Sequence, residues 1–164
     1  AMFDATITSA TIMILFGAAN TFGRILTMNR VPTMITDWML SITSSRAMIM
    51  LMINIALLII GMFLDTISSI VLFGPIFAPI AIAIGYDPLH FGIIMVINLC
   101  IGMITPPMGG NLFVAQRVSK TSFEEIFKDT FPMIIVLYIL LALLIIFPEI
   151  TMFLPKLLGY TFTG

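Results

Sequence analysis

Gly102-Met103-Ile104-Thr105-Pro106-Pro107-Met108-Gly109-Gly110-Asn111 lies inside an apolar run that reaches from Phe91 to Ala115. The run is about one bilayer span, since roughly 20 apolar residues cross the hydrocarbon core. Its centre is not ordinary helix. Two adjacent prolines remove two N–H donors, and they push Thr105 and Pro106 away from the α region. Glycines at 102, 109 and 110 loosen the backbone further. Carbonyls just before the prolines therefore lose their helical partners. Lipid offers no replacement donor, so irregular backbone persists at that depth only when buried in protein or lining a wet cavity. Broken helices of this kind hold cations and substrates in membranes. One proline would read as a kink with packing consequences alone. Thr-Pro-Pro with flanking glycines and Asn111 favours a binding role.

The composition places this break in an integral membrane protein. The chain has 164 residues, 60% hydrophobic and 9% charged, with a mean hydropathy of +1.19. Soluble domains carry about 25% charged residues. A net charge of −1 excludes a basic nucleic-acid surface. The single Cys100 allows no internal disulfide. The 14 Met and 14 Phe read as packing and lipid-facing side chains, because no Cys/His set accompanies the methionines to hold a soft metal. No phosphate loop or nucleophile–base pair is visible, so an enzyme is not expected. Ala1-Met2-Phe3-Asp4 lacks the charged start of a signal peptide. An apolar segment begins almost at once, and the chain reads as a piece of a longer polypeptide.

In chain order, residues 1–23 form an expected transmembrane helix, rich in Ser, Thr, Ala and Gly that suit close helix packing. Residues 24–46 read as an interfacial amphipathic connecting helix. Val31, Met34, Ile35, Trp38, Met39 and Ile42 share one face, and Pro32 suits the first turn. Residues 47–85 hold two apolar arms around Gly61-Met-Phe-Leu-Asp65-Thr66, the second arm interrupted by Gly74-Pro75 and Pro79. Both arms crossing the bilayer is one solution. A re-entrant hairpin is favoured, because its tip carries hydroxyls and no Lys or Arg. Asp65 is then an ionisable residue at membrane depth, which is by default a functional hypothesis.

Residues 86–118 form the broken transmembrane helix, entered through Gly85-Tyr-Asp-Pro-Leu-His90, with His90 expected as a solvated cap. Residues 119–129 are a charged interfacial segment in which Thr121 or Ser122 caps a helix and Glu124 and Glu125 occupy its first turn. Residues 130–148 form a greasy transmembrane helix, with Tyr138 the one polar side chain from Phe131 to Phe147, expected as scaffold. Residues 149–164 return to the interface. Orientation by positive charge is indecisive: Arg24, Arg30, Arg46 and Lys156 fall on one side, Arg117, Lys120 and Lys128 on the other.

Two motifs stand together: Gly61-Met-Phe-Leu-Asp65 followed by Gly74-Pro75-Ile-Phe-Ala-Pro79, and Gly102-Met-Ile-Thr105-Pro106-Pro107-Met-Gly109. With Gly85-Tyr-Asp-Pro88 between them, the chain resembles the C-terminal half of the large membrane (M) subunit of a TRAP (tripartite ATP-independent periplasmic) transporter. The resemblance implies an all-α integral membrane fold. This chain would be one of two inverted repeats of an elevator-type ion transporter, with a re-entrant helical hairpin and a broken transmembrane helix. It implies sodium-coupled import of an organic acid, such as a dicarboxylate or sialic acid, across the bacterial inner membrane. The implied partners are a small membrane (Q) subunit, a periplasmic substrate-binding (P) protein and the remaining N-terminal half of the same subunit. The family's Na+ site carries over to Gly61, Gly102, Thr105 and Met108, the glycines and Met108 acting through carbonyl oxygens. Candidate substrate contacts are Asp65, Thr66, Pro107 and Asn111. The competing class is a channel-like or structural subunit without ion-coupled transport, and a proton-coupled transporter working through Asp65 is a further alternative.

Overall fold

The computed structural model describes residues 28–43, 45–106 and 109–160, with isolated positions at 13, 17, 21, 24 and 25 and without the side chains of 32 and 117. The expected span over 1–23 lies almost wholly outside the described residues, as do Pro107 and Met108. Regular structure among the described residues is helical: α1 (Val31–Ile42), α2 (Arg46–Phe63), α3 (Thr66–Ala83), α4 (Pro88–Gly102), α5 (Gly110–Ser119), α6 (Phe123–Ile146) and α7 (Pro148–Leu157).

Helix ends follow local chemistry. Leu64 and Asp65 take extended backbone angles, and the Asp65 carboxylate accepts the Ser68 N–H at 3.0 Å to start α3. Asp87 does the same for α4, accepting from Leu89 N–H at 2.8 Å, with Pro88 in the first turn. Of the two expected caps before α6, Ser122 is the one that accepts, from Glu125 N–H at 3.3 Å. The charged segment and the greasy span after it then run as one helix of 24 residues, continuous through Pro132. Likewise α3 continues through Pro75 and Pro79. Each proline removes one donor without ending the helix, a loss that membrane helices tolerate when neighbours cover the freed carbonyl.

Helices α2, α3 and α6 are long and apolar enough to cross a membrane. The 18 residues of α2 rise about 27 Å at 1.5 Å per residue. Only 33%, 22% and 17% of the apolar windows of α2, α3 and α6 are buried inside the protein. Side chains such as Ile55, Ile59, Val136 and Ile139 point outward, a surface suited to hydrocarbon and not to water.

The core forms where α2 and α3 both pack on α4, which touches each of them more than they touch each other. Ile49, Met50, Ile53 and Leu57 of α2 meet Ile94, Met95 and Leu99 of α4, each set lying on one helical face. A polar pair sits within this contact. Asn98 Nδ2 donates to Asn54 Oδ1 at 2.7 Å and to the Asn54 carbonyl at 2.8 Å, while Asn54 Nδ2 donates to the Met50 carbonyl at 2.8 Å. Such a pair fixes the rotation of α2 against α4, because turning either helix breaks both bonds from the buried Asn98 amide.

Two expectations change. In α1 the buried side is Thr36 and Met39, while Met34, Trp38 and Ile42 of the expected apolar face point outward. Packing on α3 takes one edge of the helix and leaves its apolar stripe free. His90 is not a solvated cap but buried, 1% exposed, with Nδ1 2.6 Å from the Thr151 hydroxyl of α7. Capping falls to Asp87, and the return of α7 over the start of α4 covers the imidazole.

Candidate functional site

Four helix ends converge at the break. The last backbone bond of α2 runs from Leu64 N–H to the Ile60 carbonyl at 2.9 Å. The carbonyls of Gly61, Met62 and Phe63 then have no amide partner among the described residues. They form the electronegative end of the helix dipole. Helix α3 starts beside them, and the Thr66 hydroxyl donates to Met103 Sδ at 3.0 Å, just past the end of α4. Helix α4 tightens as it ends: Ile104 N–H reaches the Ile101 carbonyl at 3.2 Å and Thr105 N–H the Gly102 carbonyl at 3.0 Å. Helix resumes at Gly110 after Gly109, whose φ of 44° is left-handed. Between the ends lies a cavity of about 230 Å³, lined among others by Gly61, Leu64, Asp65, Met103, Gly110 and Phe113.

Glycine meets glycine where α2 and α4 cross. A Cβ on Gly102 would stand 2.8 Å from both the Cα and the carbonyl carbon of Gly61, and one on Gly61 would stand 2.9 Å from the Leu99 carbonyl oxygen. Backbone meets backbone here, as small residues permit in membrane helix pairs. This contact fixes the open carbonyl end of α2 against the break in α4.

The freed carbonyls expected from the two prolines are re-satisfied. Gly102 oxygen accepts Thr105 N–H, and Met103 oxygen accepts Asn111 N–H across the break at 3.2 Å. Each keeps a second lone pair. The end of α2 adds three more, the Gly61, Met62 and Phe63 carbonyls, which take no amide among the described residues. Of the sequence-predicted residues, Gly61 and Asp65 line the cavity, Gly102 backs directly onto Gly61, and Thr66 joins the rim through Met103. Thr105 sits off the cavity. Its hydroxyl donates to the Ile101 carbonyl at 2.7 Å, which leaves the oxygen lone pairs available to a cation. The Asn111 side chain is exposed, and its contribution is the backbone bond across the break.

Three polar groups near this site are not among the residues that the sequence put forward as ligands. Ser69 Oγ, Asn98 Oδ1 and the Tyr138 hydroxyl are buried without a hydrogen-bond partner. Ser69 is one turn into α3, Asn98 one turn before Gly102, and Tyr138 of α6 stands beside Thr105 without a bond of normal geometry. Tyr138 had a visible signal, as the one polar side chain in a greasy span. Ser69 had its place among the hydroxyls of the hairpin tip, and Asn98 only its place in an apolar run.

The family model described as tripartite ATP-independent periplasmic transporter, DctM component, matches residues 1–150. The chain belongs to this family. It is 45% identical over 150 residues to the isethionate TRAP transporter permease protein DctMQ of Oleidesulfovibrio alaskensis, covering 92% of this chain and 24% of that protein. It is 37% identical over 154 residues to the sialic acid TRAP transporter large permease protein SiaM of Vibrio cholerae, covering 93% and 36%. With the C4-dicarboxylate TRAP transporter large permease protein DctM of Pseudomonas aeruginosa it shares 39% identity over 151 residues, covering 91% and 35%. The chain thus spans roughly a quarter to a third of these relatives' length. It is a portion of a DctM-type multi-pass membrane permease, from a family of transporters and not of enzymes. The oxygens that this portion gathers at its break are carbonyls and hydroxyls, with the Asp65 carboxylate on the cavity wall.

Proposed function

We propose that this chain is the portion of a TRAP permease that carries one ion site of a sodium-coupled importer for an organic acid. The observation that carries the reading is the Gly61–Gly102 contact, which sets three open carbonyls of α2 beside a broken helix. Sodium would be held by neutral oxygens: the Gly61 carbonyl, the second lone pair of Gly102, the Thr105 hydroxyl and, by family resemblance, Met108. Neutral dipoles hold a monovalent ion loosely enough to release it on the other side. The helix end adds a partial negative charge for the ion. Ordering of the break by the ion would favour the acid beside Asp65, Thr66, Pro107 and Asn111, so ion and substrate bind with positive coupling.

The hairpin is best read as re-entrant. Gly102 falls near the middle of a span-length apolar run, and Gly61 touches it, so the tip shares its depth. Arms as long as α2 and α3 then run tilted, or their bases stand clear of the hydrocarbon. Hairpin 47–85 and broken helix 86–118 would move together as the transport element of an elevator, one of two inverted repeats. A small Q subunit, a periplasmic P protein and the rest of the permease complete the inner-membrane system. The relatives named for isethionate, sialic acid and C4-dicarboxylates all point to a small organic anion as cargo.

Uptake by the complete transporter in proteoliposomes tests this. Accumulation against a gradient should require sodium. Thr105→Ala should raise the half-saturating sodium concentration about fivefold, the equivalent of about 1 kcal/mol for one lost oxygen, with less effect on the rate at saturating sodium. Uptake indifferent to sodium, or running only downhill, would instead mean a channel-like subunit.

A further inference from the structure

At the end of α2, α3 and α4 remote from the break, a second cavity of about 540 Å³ opens beneath α7. Its size is within the usual range of small-molecule sites. Arg46 and Lys156 bring positive charge to its walls and Asp87 a carboxylate, with His90 and Tyr160 beside them. Arg46 is already oriented. Its guanidinium donates to the Gly85 carbonyl and lies 4.4 Å from the centre of the Tyr86 ring. One donor is used in this way, and the rest of the five-donor fork remains.

His90 shows what the cavity lacks. The Thr151 hydroxyl donates its one proton to the Pro148 carbonyl at 2.9 Å. It can therefore only accept from His90 Nδ1, 2.6 Å away. The proton of the neutral ring is thus on Nδ1, and Nε2 is an acceptor. Nε2 is buried and has no hydrogen-bond partner. Asp87 also lines the cavity and is half-buried. Its Oδ1 accepts from Leu89 N–H and from the Tyr160 hydroxyl at 3.4 Å, while Oδ2 takes no bond among the described residues. The site therefore offers two cations and two open acceptors.

The outer wall says where the occupant comes from. Pro148, Met152 and Lys156 of α7 face the cavity at a spacing of four. Ile150, Phe153, Leu154 and Leu157 fall on the opposite side of that helix and are exposed. An amphipathic helix with this surface lies at the lipid interface. We propose that the cavity is a phospholipid headgroup site. It takes a phosphodiester whose head alcohol carries a hydrogen-bond donor, with phosphate between Arg46 and Lys156 and the donor on His90 Nε2 and Asp87. An ethanolamine or glycerol head supplies such a donor and a choline head does not. The acyl chains run along the apolar face of α7, which a soluble phosphodiester has no use for.

The full-length permease, delipidated in detergent, is titrated with dioleoyl phosphatidylethanolamine, phosphatidylglycerol or phosphatidylcholine, and bound lipid is counted by native mass spectrometry. The expected result is one retained phosphatidylethanolamine or phosphatidylglycerol, with phosphatidylcholine retained at least fivefold less. Lys156→Ala and His90→Phe should each lower retention at least fivefold. Lys156 is exposed, so its variant should keep the lipid-free unfolding temperature. Equal retention of phosphatidylcholine, or full retention in the Lys156→Ala protein, overturns the proposal. Displacement of the lipid by equimolar soluble glycerophosphoethanolamine overturns the lipid as the source.

Discussion

Gly102→Ala is the sharpest test of how the hairpin and the broken helix are held together. The added methyl would lie 2.8 Å from two backbone atoms of Gly61 and 3.0 Å from the Leu58 carbonyl oxygen. Backbone cannot rotate away as a side chain can. Ordinary contact begins near 3.4 Å, so α2 and α4 must part by roughly 0.6 Å at this crossing. Overpacking of this kind costs about 1–3 kcal/mol. Separation also moves the open carbonyls of α2 away from the break, so function should fall further than stability. The assay is thermal unfolding of the full-length permease together with its sodium titration of uptake. We expect a lower unfolding temperature and a half-saturating sodium concentration raised at least tenfold. Gly61→Ala meets the same crossing from the other side, at 2.9 Å from the Leu99 carbonyl oxygen. The double variant should therefore cost less than the two single variants added, since one displacement relieves both clashes. Gly92→Ala, with nothing within 4 Å of its added methyl, is the control. It should be neutral or gain up to about 1 kcal/mol of helix propensity. Wild-type unfolding and sodium dependence in Gly102→Ala would refute the backbone contact.

Asp65→Ala removes the cap of α3 and should cost about 0.5–2 kcal/mol, whereas Asp65→Asn keeps an acceptor for Ser68 N–H and should unfold close to wild type. If Asp65 caps and does not carry a coupling proton, uptake by Asp65→Asn at fixed sodium follows the wild-type pH profile. Loss of a wild-type pH dependence in that variant would make Asp65 the proton carrier. Asn98→Ala strands the Asn54 side-chain acceptor in the α2–α4 core and should cost about 1–3 kcal/mol in thermal unfolding, while Asn54→Leu with Asn98→Leu should be milder. Thr66→Val deletes the hydroxyl contact to Met103 at near-constant volume. It should cost about 1 kcal/mol or less and show itself mainly in uptake, because it loosens the rim of the break.

The break was legible in the sequence because its causes are local. Pro106 and Pro107 cannot donate, whatever surrounds them, and Asp65 and Asp87 cap helices through bonds spanning two or three residues. Membrane-length helices were legible for a similar reason: hydrocarbon sets their length and composition before any packing occurs. Tertiary structure decided what no local rule contains. The sequence singles out Gly61 and Gly102 separately, but only packing shows that a methyl on either would strike the other's helix backbone. The prolines predicted open carbonyls at Gly102 and Met103. Folding gave those oxygens Thr105 and Asn111 N–H partners and left the end of α2 open instead. Asn98 and Tyr138 gained their meaning from Asn54 and Thr105, 44 and 33 positions away in the chain. His90 looked solvated until α7, returning across 61 residues, covered it. Local chemistry fixes where helices start, stop and break. Which of their polar atoms remain without a partner, and so can hold an ion or a lipid, depends on neighbours that only the folded chain brings together.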